Sequence, residues 1–593
     1  MFSINLGVVA DSPDQPLTYS EDAFFEHMMI YGGIGQGKSK LMEHIMRQLL
    51  YHRRGFCLID PHGDLAEDIL AFIARHPDCV SPHLRNNLYY LEPGHPDWCL
   101  SYDPFHFQGE PDRFDEWLET KVDDVARSVI LMQKESDFAG ARLARWLPRV
   151  LTGVGMAVDD EYTTHLSLAD AHVLLAPTTQ EFQNVYDVLA DLLDFEIRQD
   201  FENMTQRKSV FDETESTRNR LNRFLFLRVK EMLSAPTPSI DFAHIVRCGF
   251  PVIANLKKAN GFTRDQANAI GSMLIREILG AAESLPREER DLYYLFVDEA
   301  SRFVGDDLMQ AFREVRKFGL VLCLAVQDLS ALKTKDSDLR AAANSQSHVK
   351  VSFRQDTPDD CEYLGKLMAY KAFNRERRIV EVDRFDGYEK QTTRSKQTGR
   401  STTDGWHTGG SSMDQEASVP GGPTQTRHGT AETGGQSGST AESESEAEQE
   451  VYLAKYRTEE RDEGLKHAPP EQVADWTAQL GELPKREALL QVAEEKPQRL
   501  ATADVDEAWS ELRPAARQQL IEAVKIDIFE KHACYFRRSE VQIDQATRLR
   551  AYLDAARRRE RPVVIDAASG PASPRDPLAN LDATGDPESP FDL

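Results

Sequence analysis

Short, wholly apolar runs alternate with amphipathic ones at the start of the chain. "HMMIY" (27–31) leads into a glycine-rich stretch, then "KLMEHIMRQLLYHR" with apolar residues at helical spacing, then "GFCLID" (55–60). Strand, loop, helix and strand in that order begin a βαβ unit, and βαβ units build parallel sheets. Over 106–238 the β-rich runs give way to segments such as "RFDEWLETKVDDVARSVILMQ", "LADAHVLLA" and "RNRLNRFLFLRVKEMLS". Their periodicity predicts an inserted all-α domain. Strands resume at "FPVIANL" (250–256), "YYLFVD" (293–298), "LVLCLAVQ" (320–327) and "VKVSFR" (349–354), separated by helices such as "DQANAIGSMLIREILGAAE". Short apolar β-rich runs alternating with helices fit a buried parallel sheet. The fold class is α/β: a parallel sheet flanked by helices, with 1–105 as its first part and 239–390 as its second.

Beyond 390 the pattern changes. Residues 391–450 are poor in large apolar side chains and rich in Gly, Ser, Thr, Gln and Glu. Such a segment cannot offset its chain entropy by burial, so a disordered linker is expected. Residues 451–505, from "YLAKYRTEERDEGL" to "GELPKREALLQVA", read as a helical segment and one late strand closing the sheet domain. Residues 506–566 read as helical, and 567–593 as a loose tail rich in Pro and Asp.

Composition narrows the setting. The net charge of −28 over 593 residues argues against a surface that coats nucleic acid or anionic lipid indiscriminately, so any DNA contact must be local. Seven cysteines (Cys57, Cys79, Cys99, Cys248, Cys323, Cys361 and Cys534) show no paired spacing for zinc or disulfides, as expected of a reduced cytoplasmic protein. The longest apolar run, "GLVLCLAV", falls well short of the roughly 18–20 residues that cross a bilayer. The N-terminus lacks the layout of a signal peptide, and no intrinsic transmembrane segment is expected.

Chemistry is concentrated in three places. Residues Gly32 to Ser39, "GGIGQGKS", satisfy G-x-x-x-x-G-K-[ST] between a strand and a helix, the context a phosphate-binding loop requires. Gly32, Gly33, Gly35, Gln36 and Gly37 would turn backbone N–H groups toward a nucleotide, and Lys40 is counted with the loop. Lys38 would neutralise phosphate charge and Ser39 would ligate Mg²⁺. "YYLFVDEA" then supplies Asp298 as the carboxylate on the metal side and Glu299 as the base that orients water. Gln327, at the end of the next strand, is placed to sense the γ-phosphate. ATP and Mg²⁺ are the cofactors this set calls for. An arginine from a neighbouring subunit would complete the site in a ring, with Arg313, Arg316, Arg340 and Arg354 as candidates and Arg316 favoured.

The order of motifs, "HMMIYGGIGQGKSK", "LIDPHGDLAEDIL", "SIDFAHIVRCGFPVIANLKK", "LFVDEASRFV", "REVRKFGLVLCLAVQDLSAL" and "FRQDTPDDCEYL", resembles the coupling ATPases of conjugation and type IV secretion. These belong to the TraD/TraG type, within the wider HerA/FtsK class of DNA-pumping P-loop ATPases. The resemblance covers about 1–370 and resumes near 475–495. It implies a RecA-like motor that assembles as a homo-hexameric ring, threads DNA through its pore and hydrolyses ATP between subunits. It also implies a partner: a relaxase or secretion channel, or, for a HerA-like soluble motor in DNA processing or defence, a separate nuclease or effector.

Asp60, His62 and Asp64 match the "DPHGD" stretch of that resemblance, with a helix-capping loop and a catalytic part both open. The best-known coupling proteins carry N-terminal membrane helices, whereas this sequence begins almost directly in the motor. The expectation is therefore a cytoplasmic protein, either free or held at the inner membrane through a partner. The basic "RLRAYLDAARRRER" stretch, with Arg548, Arg550, Arg557, Arg558, Arg559, Arg561 and Tyr552, reads either as a DNA-phosphate helix or as a solvated helix paired with acidic surface. A third possibility for the whole chain is a nucleotide-gated scaffold with little turnover.

Overall fold

The computed structural model describes residues 2–24, 27–107, 111–131, 137–157, 166–190, 193–206, 208–234, 238–303, 314–332, 339–373, 379–401, 410–417, 425–432, 441–462, 470–493, 495–507, 509, 512–541, 547 and 550. Two units are distinguished: Met1–Ala372 with Ala468–Leu593, and Phe373–His467.

In the first unit the strands are β1 (Ser3–Val9), β2 (Ser12–Ser20), β3 (Met28–Tyr31), β4 (Phe56–Asp60), β5 (Tyr89–Leu91) and β6 (Trp98–Leu100). After the helical region come β7 (Val252–Asn255), β8 (Tyr293–Val297), β9 (Leu320–Val326) and β10 (Val349–Phe353). The second unit contributes β11 (Ile379–Ser401), β12 (Gly410–Ala417), β13 (Gln425–Glu432) and β14 (Ala441–Asp462). The first unit then resumes with β15 (Glu487–Val492), β16 (Gln498–Thr502) and β17 (Tyr535–Arg537).

Eleven of these strands form one sheet in the order β2-β1-β16-β15-β10-β3-β9-β8-β4-β7-β5. From β10 to β5 every neighbouring pair is parallel. β3, β4, β7, β8, β9 and β10 are buried at every residue, which explains the apolar runs of most of them, while β10 also buries Lys350 and Ser352. On the other side of β10 the sheet continues antiparallel through β15, β16, β1 and β2. The expected parallel sheet flanked by helices is thus present, and it extends antiparallel through more strands than the single late one expected. β2, "SPDQPLTYS", gives little apolar signal because it is the outer edge, with Pro13 and Pro16 in a strand that needs only one paired side.

Every helix or strand among the described residues of 106–238 is helical, including Phe114–Leu131, Asp137–Gly155 and Lys208–Phe224. The helix Arg264–Ser284 packs on Phe114–Leu131. It starts at a capping box in which Thr263 Oγ1 accepts from the Gln266 N–H.

The second unit differs from the sequence expectation. Within 391–450 the described residues are strands, and 451–462 continues β14 instead of forming a helix. β11 pairs antiparallel with β14, and β12 with β13. The order of such ribbons comes from main-chain pairing, which composition does not report. Their register sets Arg394, Lys396 and Arg400 opposite Glu448, Glu446 and Glu442.

The helix Pro514–Lys531 packs against the helix Asp64–Arg75 and β5, while β17 pairs antiparallel with β6, so this C-terminal stretch belongs to the first unit. The basic stretch at 548–561 lies outside the described residues apart from Arg550, as does the tail. Phe529 is the anchor, buried with ring centroids 4.8 Å from Tyr535, 5.2 Å from His95 and 5.7 Å from Trp98. Phe529→Ala should destabilise the unit by about 3–5 kcal/mol, seen as a lower urea midpoint by circular dichroism.

Candidate active site

The site forms where β3, β4, β8 and β9 end on the same edge of the sheet. Strands buried on both faces leave polar side chains room only beyond their last residue, and parallel strands bring those ends together. After β3 the loop leaves the sheet with the Gly32 N–H donating to the Val326 carbonyl (3.2 Å) and the Gly33 N–H to the Arg354 carbonyl (2.9 Å). The helix Lys38–Tyr51 follows. Its N-cap, Gly37, has φ 121°, a conformation only glycine takes readily, and offers no side-chain cap. The first-turn N–H groups are thus left for an anion.

Lys38 is 5% exposed, and its Nζ donates to the carbonyls of Gly32 (2.7 Å) and Gly33 (2.9 Å). Burial lowers its proton affinity, against the opposing charges of Asp298, Glu299 and Asp356. Ser39 Oγ donates to Asp298 Oδ2 at 3.1 Å. Asp298 is 6% exposed, and burial raises its pKa against the hydrogen bonds from Ser39 and the Glu299 N–H. The pair of a hydroxyl and a carboxylate is the hard oxygen set that suits Mg²⁺, which takes one or two protein ligands and completes its shell from water and phosphate. Among the described residues no three His, Cys, Asp or Glu side chains form a metal cage of their own.

Glu299 sits in the left-handed backbone region (φ 47°, ψ 48°) directly after Asp298. Its Oε1 lies 2.7 Å from Gln327 Nε2 and 2.6 Å from His62 Nε2, and its Oε2 is ion-paired with Arg302. Burial would raise the pKa of Glu299, but the His62 hydrogen bond and the Arg302 charge outweigh it and hold the carboxyl below its ordinary range. Lys38, Ser39, Asp298, Glu299 and Gln327 are therefore one connected cluster.

Other candidates fall elsewhere. Lys40 Nζ pairs with Glu43 and Asp68, both at 2.8 Å, rather than with the loop. Two residues along a helix turn the side chain by about 200°, so Lys38 and Lys40 cannot face the same way. Gln36 is buried in the loop, and its carbonyl accepts from the Arg486 N–H at 3.0 Å. Arg316 lies in the turn Val315–Phe318 before β9, so the length of that strand, about 20 Å, separates it from Gln327 within the chain. Arg340 lies over the Tyr363 ring, and Arg354 neighbours Asp356 at 4.0 Å; Arg313 is outside the described residues.

Sequence reasoning missed Arg302 and left His62 without a role. The three-residue spacing from Glu299 to Arg302 was the available signal for the first, whereas the second depends on β4 lying beside β8. Asp60 is fully buried, its Oδ1 accepting from the His62 N–H (2.8 Å) and its Oδ2 from the Ala66 N–H (2.9 Å). Asp64 opens the helix Asp64–Arg75 as a first-turn acidic residue and is exposed.

The mostly parallel sheet, the glycine loop between β3 and its helix, and β9 lying between β3 and the acidic strand β8 define a P-loop fold of RecA-like type. No protein family model matches the chain, and no curated protein matches it in sequence. Solved structures do resemble it. The bacterial conjugative coupling protein TrwBdeltaN70, in an unbound form, matches at 13% identity and a TM-score of 0.48, covering 86% of this chain and 91% of that one. The plasmid coupling protein TrwB in complex with ADP and Mg²⁺ matches at 13% identity and a TM-score of 0.48, covering 86% and 92%. VirB4 of Thermoanaerobacter pseudethanolicus matches at 15% identity and a TM-score of 0.38, covering 62% and 87%. Likenesses this remote leave function to the geometry of the site.

Burial pushes the Asp60 carboxyl up to about 6, with the Asp298 charge adding to the effect and the backbone N–H groups of Ala66, Gly63 and His62 opposing it. A carboxyl that holds its proton more tightly when folded favours folding in its protonated form. That contribution is present below about pH 4 and is lost as pH rises to about 6. Urea midpoints of the nucleotide-free protein should carry this loss, and the difference between it and Asp60→Asn should change with pH across that window and be flat above it.

Proposed function

We propose that the chain is an ATP-driven DNA-translocating ATPase of the coupling type, working as a homo-hexameric ring with DNA in its pore. The observation that carries the ATPase part is the cluster in which Lys38, Ser39, Asp298, Glu299 and Gln327 meet at the ends of adjacent strands. A protein that only bound nucleotide would have no use for a carboxylate held ionised beside the loop.

In this reading the loop N–H groups and Lys38 take the phosphates, and Lys38 exchanges its bonds to the Gly32 and Gly33 carbonyls for bonds to phosphate oxygens. Ser39 and Asp298 hold Mg²⁺, which when bound offsets the charge of the phosphate oxygens. Glu299, ionised at neutral pH, accepts a hydrogen bond from the attacking water and aligns it. Gln327, bonded to the same carboxylate, passes the state of the γ-phosphate side to β9. The motif order, which resembles that of conjugation coupling ATPases, supports DNA as the moving substrate and a relaxase or secretion channel as the partner. Among the described residues no helix is long and apolar enough to cross a membrane.

Steady-state ATP hydrolysis, measured with and without single- and double-stranded DNA, tests the reading. DNA should stimulate turnover, and Lys38→Ala and Glu299→Gln should each lower it by roughly 10²–10⁴-fold. Background turnover at every DNA concentration, with assembly still driven by ATP, would replace the motor by a nucleotide-gated scaffold.

A further inference from the structure

The loop from Asp60 to Asp64 is fixed from several directions, yet its histidine is left reaching outward. Asp60 holds the main chain at His62 and Ala66 through its two carboxylate oxygens. Gly63 has φ 84°, and a Cβ there would come within 2.4 Å of Asn255 Oδ1. Asn255 is itself fixed, donating from Nδ2 to the buried Tyr90 hydroxyl at 2.8 Å. The rigidity thus comes from β4, β5 and β7, while the His62 side chain remains 50% exposed and touches Glu299. A loop needed only to cap the next helix would require Asp60 and Gly63 but not an imidazole.

The contact also fixes the tautomer. An ionised carboxylate can only accept, so the 2.6 Å approach of His62 Nε2 to Glu299 Oε1 requires the proton on Nε2. An Arg302 guanidinium nitrogen 3.3 Å from the same Nε2 is then a neighbouring donor and not a bonding partner. Arg302 engages the other oxygen, Oε2. With Oε1 taking His62 and Gln327 and Oε2 taking Arg302, the carboxylate is held at both oxygens, and one acceptor position, on Oε2, is left for a further donor.

We propose that His62 is a positioning residue for Glu299, holding its carboxylate in the orientation that aligns the attacking water. The inference rests on the hydrolase reading above and assigns the histidine of the Asp-Pro-His-Gly-Asp stretch a role separate from that of its aspartates. Asp60 builds the loop; His62 uses it.

The test is steady-state ATP hydrolysis by the full chain carrying His62→Ala or His62→Gln, beside equilibrium binding of a fluorescent ADP analogue. His62→Ala should lower kcat by roughly 10–100-fold, the scale of a misplaced catalytic group, while KM and ADP affinity change by no more than about twofold. His62→Gln, which keeps an N–H donor at similar reach, should recover kcat to within about threefold of the unsubstituted chain. An unchanged kcat in His62→Ala, or loss of ADP binding together with kcat, would overturn the positioning role. So would a His62→Gln protein as slow as His62→Ala. If the unsubstituted chain turned over no ATP, the hydrolase reading would fall and this inference with it; turnover indifferent to His62 overturns the inference alone.

Discussion

Lys38 and Asp298 are charged groups almost wholly removed from water, and the architecture of the sheet edge depends on their keeping each other company. An isolated charge buried to this degree would cost several kcal/mol. Here Lys38 is satisfied by two loop carbonyls, and Asp298 by the Ser39 hydroxyl and the N–H of the next residue. Those partners lie on the loop after β3, in the first turn of the helix Lys38–Tyr51 and in the turn after β8. Of these contacts the Ser39–Asp298 bond crosses between the two segments, as does the attraction of Lys38 for Asp298, so the same electrostatics that prepare the site for a nucleotide also tie the two strand ends together across the intervening β9.

Much of this was legible in the sequence because it is local. The glycine spacing, the apolar strand before it and the amphipathic helix after it lie within one short stretch, and Asp298 and Glu299 follow directly on an unbroken apolar run. The rest was hidden for identifiable reasons. The face of a helix decides what Lys40 meets, and two residues from Lys38 is the wrong face. The partnership of His62 with Glu299 depends on strand adjacency across more than two hundred intervening residues. β2 escaped notice because an exposed edge has no need of the hydrophobic pattern that announces a strand, and β1, paired on both sides, shows only a short alternation in which Ile4 and Leu6 are buried. In 391–450 the polar composition was read correctly, but composition is silent about backbone pairing, and the structure forms ribbons there.

The assigned roles also separate support from chemistry in a useful way. Asp60, Gly63 and Asn255 are buried and shape a loop, whereas His62, Arg302 and Gln327 converge on one carboxylate. In the proposed hydrolysis, the depressed pKa of Glu299 would suit a group that aligns water better than a strong proton acceptor.

The main-chain bond from Arg486 to Gln36 carries a consequence for how the molecule comes into being. On a ribosome delivering about 5–20 residues per second, the glycine loop emerges early, but the strand that buttresses it is among the last parts of the sheet to appear. Until β15 arrives beside β10, that edge of the nascent sheet is open and the loop lacks one of its walls. The phosphate-binding loop is thus completed only when Arg486 has been made, so a translation product interrupted before that point would not carry a completed copy of the site.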